Sequence, residues 1–421
     1  MCGIGGVWGP GAVEAAAEMA KWLMHRGEEG VGYAYLSKDG VKVGAPAGEV
    51  EAAVVHTRYS TSGPYGVQIQ PVLAKYRDLE AAVAFNGTVV NYKVLDPGAA
   101  ADAEALAKKF VELVWEHGLA EGLRALYEAI EGAASIIALT QEALIAVRDI
   151  RGIRPLAYAG RAAASESIAL EGASSEIPPG YAVVIKGGGA ELVKYGEGVE
   201  RLCALEYVYF AHPASRLGGR RVAEVRRALG AALAKREEVR VDAAAYVPET
   251  AETAAEAYAE ALGKPLAEAI MKNRYAGRIF IKPPDKREPK AAFKVDAEAV
   301  AGKSIAVVDD SLIRGTNLGS LVKALRAAGA RGVHLRIASP PIRWPCYYGM
   351  DFQTPEELAA RGKTEGELAR EIGADSLKYL PLEDFRTILG PNICYACFTG
   401  EYPLQDLGGA ASPSRPGPRR G

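Results

Sequence analysis

Ser304-Ile305-Ala306-Val307-Val308-Asp309-Asp310-Ser311-Leu312-Ile313-Arg314-Gly315-Thr316-Asn317 is the stretch that decides the architecture. Its apolar opening, Ser304–Val308, has the composition of a strand buried on both faces. The strand stops at two adjacent acids, and a short glycine-bearing loop then opens an amphipathic helix over Leu318–Ala328. Loop amides and a helix N-terminus together make an anion pocket suited to a phosphate, to which Ser311 and Thr316 add hydroxyls. Neighbouring carboxylates repel each other unless something uses them. Asp309 and Asp310 therefore fit ribose hydroxyls and a hard cation such as Mg²⁺, which takes carboxylate and phosphate oxygen. The plainer alternative, an acidic turn with no ligand, leaves that repulsion uncompensated.

On either side of this stretch, apolar strands alternate with amphipathic helices: Ala243–Val247, Thr250–Leu262, then Val333–Ala338 after the central helix. Such alternation predicts a doubly wound parallel sheet with ligands at the C-terminal strand ends. Lys282–Lys294 is dense in Lys, Arg and Pro and reads as a basic loop, or as a solvated charged face. Before about residue 200 the pattern differs. Strands are expected at 2–8, Tyr33–Leu36, Ala52–His56, Ala81–Phe85, Ser135–Leu139, Leu144–Arg148, Leu156–Ala159 and Tyr181–Lys186, with helices at Val13–Leu23 and from Ala101 to about His117. The Ala81–Phe85 strand is expected to stop at Asn86-Gly87, since Asn-Gly alone is the strongest short hairpin signal. Asp102 alone reads as a helix N-cap.

The totals narrow the classes. A chain of 421 residues suits two domains with sizeable cores. It is 49% hydrophobic and 24% charged, as globular chains are, and a net charge of −2 offers no basic field for nucleic acid. No apolar run approaches the ~20 residues of a membrane span, and no signal-peptide pattern opens the chain, so a cytoplasmic protein is expected. Five cysteines are present: Cys2, Cys203, Cys346, Cys394 and Cys397. Methionine is normally trimmed before a small residue, so Met1-Cys2-Gly3-Ile4-Gly5-Gly6-Val7-Trp8 predicts an N-terminal cysteine. That residue would carry both a thiol and an α-amine titrating near ~8, hence nucleophile and base together. The other four cysteines, with Cys394 and Cys397 forming a Cys-x-x-Cys hook, make one ligand set for zinc or an iron–sulfur cluster, or are buried thiols without a ligand.

The Ser304–Asn317 stretch resembles the phosphoribosyl-pyrophosphate signature of type I phosphoribosyltransferases. That resemblance implies that Asp309 and Asp310 hold the ribose hydroxyls and Ser311, Arg314, Gly315 and Thr316 the phosphate loop. It also places Thr250 near Mg²⁺, with Asp309 and Asp310, and Lys286, Arg287, Lys290 and Lys294 against the departing pyrophosphate. Joined to a cysteine-led half, the whole chain except its tail resembles the glutamine phosphoribosylpyrophosphate amidotransferase family, which catalyses the first step of de novo purine synthesis.

The family implies a two-domain α/β and α+β protein. An N-terminal-nucleophile (Ntn) hydrolase αββα sandwich over 2–195 precedes a type I phosphoribosyltransferase doubly wound parallel sheet with a cysteine-bearing segment over 196–407, and 408–421 is a disordered tail. It makes Cys2 the nucleophile and Asn86 with Gly87 the oxyanion hole. Arg58 would grip the glutamine α-carboxylate, Thr61 share its pocket, Asp102 take the α-ammonium, and Arg26 belong to the loop closing on glutamine. One branch of the family carries a [4Fe–4S] cluster, and the contexts of Cys203, Cys346, Cys394 and Cys397 resemble it. Family members imply a homo-oligomer, a tetramer. Two rivals are another glutamine amidotransferase, such as an aminosugar or asparagine-forming synthase, and a non-catalytic, oxygen-sensing regulator that binds phosphoribosyl pyrophosphate. The acid-pair loop speaks against the first, and intact Cys2, Arg58 and Asn86 against the second.

Overall fold

The computed structural model describes residues 1–59, 70–187, 189–272 and 293–403. Thr61, Lys286, Arg287, Lys290 and the 408–421 tail lie outside them. In the first half, a seven-stranded sheet and a six-stranded sheet lie face to face. Period-two alternation builds the layers. On the Leu79–Val89 strand, Ala82 and Ala84 join Ile4, Val54 and Leu36 of the other sheet in a shared core. Ala81, Val83 and Phe85 point the opposite way, onto Leu106, Phe110, Leu123 and Leu126 of the helices Asp102–His117 and Leu119–Ala129. Across the other sheet, Val7, Ala53 and Val55 pack on Ala16, Met19 and Leu23 of the helix Ala12–Leu23. The layers run helix, sheet, sheet, helix: the αββα sandwich.

In the second half the strands Ala243–Tyr246, Ser304–Asp309, Gly332–Ile337 and Ser376–Tyr379 are neighbours in that order and all parallel. On the other side of the first, Leu266 makes a single parallel bridge to Ala244. The sheet therefore turns back on itself between Ala243–Tyr246 and Ser304–Asp309, the switch point at which doubly wound sheets bind ligands. Both faces are covered. Ala306 and Val308 meet Leu229 and Tyr258, whereas Ile305 and Val307 meet Leu318, Leu321 and Leu368.

The expected stop at Asn86-Gly87 does not occur. The strand runs on to Val89, with Asn86 opposite Ser135 and Gly87 opposite Ala134. A full partner strand, Gly132–Thr140, outweighs the local turn preference. Gly87 is needed for a different reason: at φ 149° a Cβ would fall 1.8 Å from Ala133 O. Among the described residues no helix is long and apolar enough to cross a membrane.

Candidate active site

The Gly3–Trp8 strand pairs with Ala52–Thr57, Gly3 opposite Thr57, which sets Cys2 beside Arg58 and Tyr59. The Cys2 thiol donates to Tyr59 O at 3.5 Å. Burial pushes this thiol above its ordinary value, while the nearby α-amine, the Tyr59 contact and Arg58 pull the other way. The resting group is thus a thiol, and attack needs a base. An α-amine at this place is suited to that: burial lowers the Met1 amine to about 5, so it is unprotonated at neutral pH.

Charge flanks the sulfur on two sides. Arg58, almost wholly buried, lies 3.8 Å from Glu29 Oε2 and close enough to Cys2 and Asp102 to feel both. Asp102 is buried and accepts from Val89 N at 3.2 Å through Oδ2. It stands in the first turn of its helix without capping it. A fixed cation and a fixed anion around a thiol match the zwitterion of an amino acid. Asn86 is fully buried, and neither its Oδ1 nor its Nδ2 has a hydrogen-bond partner among the described residues. An unpaired buried amide costs about 1–3 kcal/mol, which a ligand oxygen at Nδ2 would recover. Arg26 faces elsewhere: its guanidinium is committed to Glu206, Glu166 and Cys2 O.

A second centre stands at the switch point. Thr250 Oγ1 donates to Asp310 Oδ2, Ser311 Oγ donates to Asp310 Oδ1 at 2.6 Å, and Asp310 N donates to Asp309 Oδ1 at 2.9 Å. Burial, and for Asp309 also the neighbouring acid, hold both carboxyls above the usual range. Gly315, at φ 76°, turns the chain into the helix Thr316–Ala327, whose N-terminus opens beside the acids. Arg314 is tied to Glu357, with Nε donating at 3.1 Å, and to Asp351. Lys294 is exposed on a two-stranded ribbon opposite Met271.

A chain of aromatics leads away from the first centre. The Tyr59 ring meets Phe210 edge-on at 6.0 Å, and Phe210 meets Tyr209 at 4.7 Å. Arg226, an electrostatic neighbour of both Tyr209 and Asp310, donates to Tyr207 O and Ala211 O at 2.8 Å each.

The glutamine amidotransferase domain model matches residues 1–178. The amidophosphoribosyltransferase of Pyrococcus horikoshii is 37% identical over 96% of this chain and 96% of its own, and that of Bacillus subtilis 33% identical over 96% and 94%. The chain belongs to the amidophosphoribosyltransferase family. A solved glutamine phosphoribosylpyrophosphate amidotransferase from B. subtilis, complexed with ADP and GMP, superposes with a TM-score of 0.84 at 32% identity, covering 96% of this chain and 97% of that one.

In this amidophosphoribosyltransferase the four remaining cysteines are buried and free. Strand Leu202–Cys203 lies parallel to Ile393–Cys394 and sets Cys203 opposite Cys394. Cys397 O accepts from Arg343 N and Trp344 N at 3.0 and 3.1 Å, which brings the Cys346 segment alongside. Burial raises the Cys397 thiol well above its ordinary value, and Cys203, Cys346 and Cys394 all push it further. Among the described residues, however, no group of three or more His, Cys, Asp or Glu stands as a metal-ion site. Sequence reasoning missed Glu166, Glu206, Arg226, Glu29 and Asp351. Each acquires its role from partners distant in the chain.

Proposed function

We propose that this chain makes 5-phosphoribosylamine from glutamine and phosphoribosyl pyrophosphate, releasing glutamate and pyrophosphate, the first step of purine synthesis. The observation that carries the reading is that one chain holds both a charge-flanked thiol and an acid-pair phosphate loop, with Tyr59, Phe210 and Tyr209 in ring contact beside the first and Arg226 neighbouring both Tyr209 and Asp310. Two half-reactions in one chain need a sheltered path, because ammonia in open water is largely ammonium and not nucleophilic.

Removal of Met1 leaves Cys2 with a free α-amine. Arg58 takes the glutamine α-carboxylate in its planar fork and Asp102 the α-ammonium; Thr61 is assigned to the same pocket by family resemblance. The Cys2 sulfur attacks the side-chain amide carbon as its proton passes to the α-amine. Asn86 Nδ2 and the Gly87 N–H meet the oxyanion. The C–N bond breaks, the amine returns its proton to the departing nitrogen, and water hydrolyses the thioester to glutamate and free thiol. Ammonia moves along these aromatics and attacks C1 of the sugar, displacing pyrophosphate. Asp309 and Asp310 hold the ribose hydroxyls, and Ser311, Gly315 and Thr316 hold the 5′-phosphate at the helix N-terminus. Arg314 joins them if it exchanges Glu357 for phosphate, and Lys294 is assigned to the pyrophosphate by family resemblance.

The donors around Asp310, which are carboxylates and the Thr250 hydroxyl, suit Mg²⁺. When bound, that cation offsets the charge of pyrophosphate. Cys203, Cys346, Cys394 and Cys397 are assigned to a [4Fe–4S] cluster. What supports this is an all-thiol donor set, buried and mutually neighbouring, with Cys203 and Cys394 in register. The boundary between the halves is assigned to about residue 195. The enzyme is read as cytoplasmic and homo-oligomeric, a tetramer on family resemblance.

The test mixes anaerobically purified protein with glutamine and phosphoribosyl pyrophosphate. Glutamate and pyrophosphate should appear in equal amounts. A regulator releases neither, and a different amidotransferase releases glutamate only with another acceptor. The same preparation should contain iron and acid-labile sulfide; zinc in their place overturns the cluster assignment. Asn86→Ala should lower kcat for glutamine hydrolysis by about 10²–10³-fold, as loss of one oxyanion donor does, with a smaller change in KM. Equal loss in ammonia-dependent synthesis would remove Asn86 from this role.

A further inference from the structure

Arg26 and Glu206 form a bidentate pair sealed from solvent. Nη1 donates to Oε2 and Nη2 to Oε1, both at 2.9 Å, and both side chains are 0% exposed. Nη1 also donates to Glu166, and Nε donates to Cys2 O at 3.1 Å. Every guanidinium nitrogen is therefore engaged, through four of the five N–H donors. Burial by itself disfavours the cation, but the two carboxylates outweigh it and keep Arg26 charged.

The two carboxylates come from different halves of the chain. Glu166 belongs to the sandwich, where it also accepts from His25 Nε2 at 2.8 Å. Glu206 opens the π-turn Glu206–Phe210 on the transferase side. A planar fork held at two points has one orientation, and here it aims Nε at the carbonyl of Cys2. That carbonyl is attached to the Cα that bears the amine and the thiol-carrying Cβ. The same short turn reaches the nucleophile a second way, because Phe210 packs on Tyr59, whose backbone oxygen accepts from the thiol. Glu206 Oε1 further accepts from Arg154 Nη1 at 3.4 Å, and Arg154 Nε donates to Tyr348 O at 2.7 Å. The next residue, Gly349, stands against Gly87: a Cβ there would fall 3.1 Å from Gly87 Cα.

We infer that Glu206 is a positioning residue for glutamine hydrolysis, supplied by the transferase half and acting through Arg26 on Cys2. The inference rests on the reading above that Cys2 is the nucleophile. It makes the glutamine-cleaving centre incomplete without the other half, so that ammonia is released only where an acceptor site is attached.

The experiment uses the full chain with Glu206→Gln and the milder Glu206→Asp, each assayed with glutamine and separately with ammonia. E206Q should lower kcat for the glutamine-dependent reaction roughly 10- to 100-fold, the scale of a small misplacement of reacting groups. KM for glutamine should stay within about threefold, because Arg58 and Asp102 are untouched. Glu206→Asp should move the same way by less, and the ammonia-dependent rate should hold in both. In an Arg26→Lys background, E206Q should add less than about threefold, since residues acting through one another are not additive. Parallel loss of both activities in both variants, or full additivity with R26K, would overturn the inference. Absence of glutamate release from the unaltered chain would instead overturn the underlying reading.

Discussion

Cys2→Ser is expected to lower glutamine-dependent formation of phosphoribosylamine by about 10³-fold or more while ammonia-dependent formation persists. The change replaces one atom in a site that is only 9% exposed, so packing is preserved and the loss is chemical. Burial already holds the thiol above its ordinary value. A hydroxyl is a far weaker acid, and the same α-amine cannot deprotonate it usefully. The measurement is paired initial rates with glutamine and with ammonia. Equal rates of the serine variant and the unaltered chain on glutamine would remove Cys2 from the mechanism.

The same chemistry fixes a pH dependence. The base works only when unprotonated, so glutamine-dependent kcat must fall as pH drops through the pKa of the amine. An exposed α-amine titrates near ~8, and burial in this pocket brings the Met1 amine to about 5. The acid limb should therefore lie below ~8 and be absent from the ammonia-dependent reaction once that rate is expressed per unprotonated ammonia. Mass spectrometry should find active protein without Met1 and with an unblocked amine. A blocked amine in protein of full glutamine activity would contradict the scheme.

Asp309→Asn and Asp310→Asn carry the second large effect. Each should depress synthesis with glutamine and with ammonia alike, by roughly 10²-fold, because a hydrogen bond to a charged group is worth about 1.5–3 kcal/mol. Asp310 stands to lose more, since Thr250 and Ser311 both donate to it. Stability should move in the opposite direction. Both carboxyls are held above the usual range in the fold, so the folded state binds more protons than the unfolded chain and loses stability as pH rises above ~4. Asn at 309 escapes that penalty. The variant should melt higher than the parent at neutral pH without substrate, and lose the upward shift that phosphoribosyl pyrophosphate and Mg²⁺ give the parent. A variant that melts lower and still shifts with substrate would refute the account.

Local pattern sufficed for the elements whose burial is periodic. The apolar run Ser304–Val308, its acids and its glycine loop occupy the strand, the strand end and the helix start they were expected to occupy. The same holds for the Gly3–Trp8 strand and its neighbour Ala52–Thr57. Elsewhere local preference misled: Asn86-Gly87 prefers a turn and Asp102 prefers to cap. Each is overruled by something distant, namely the Gly132–Thr140 strand and the Val89 amide, and nothing near Arg26 in the chain points to Glu206, 180 residues away.

By itself, the sequence determined which residues can do chemistry: a cysteine next to a cleavable start, an acid pair before a phosphate loop, and four further thiols. Periodicity and side-chain chemistry are local properties, and they determined the two layered halves as well. Only the tertiary structure decided which groups serve the same centre. The fork that holds Cys2, the ring contact of Tyr59 with Phe210 and the register of Cys203 with Cys394 are contacts between segments far apart in the chain. Such contacts depend on how the completed sheets and the π-turn bury their faces, and no short stretch of sequence encodes that.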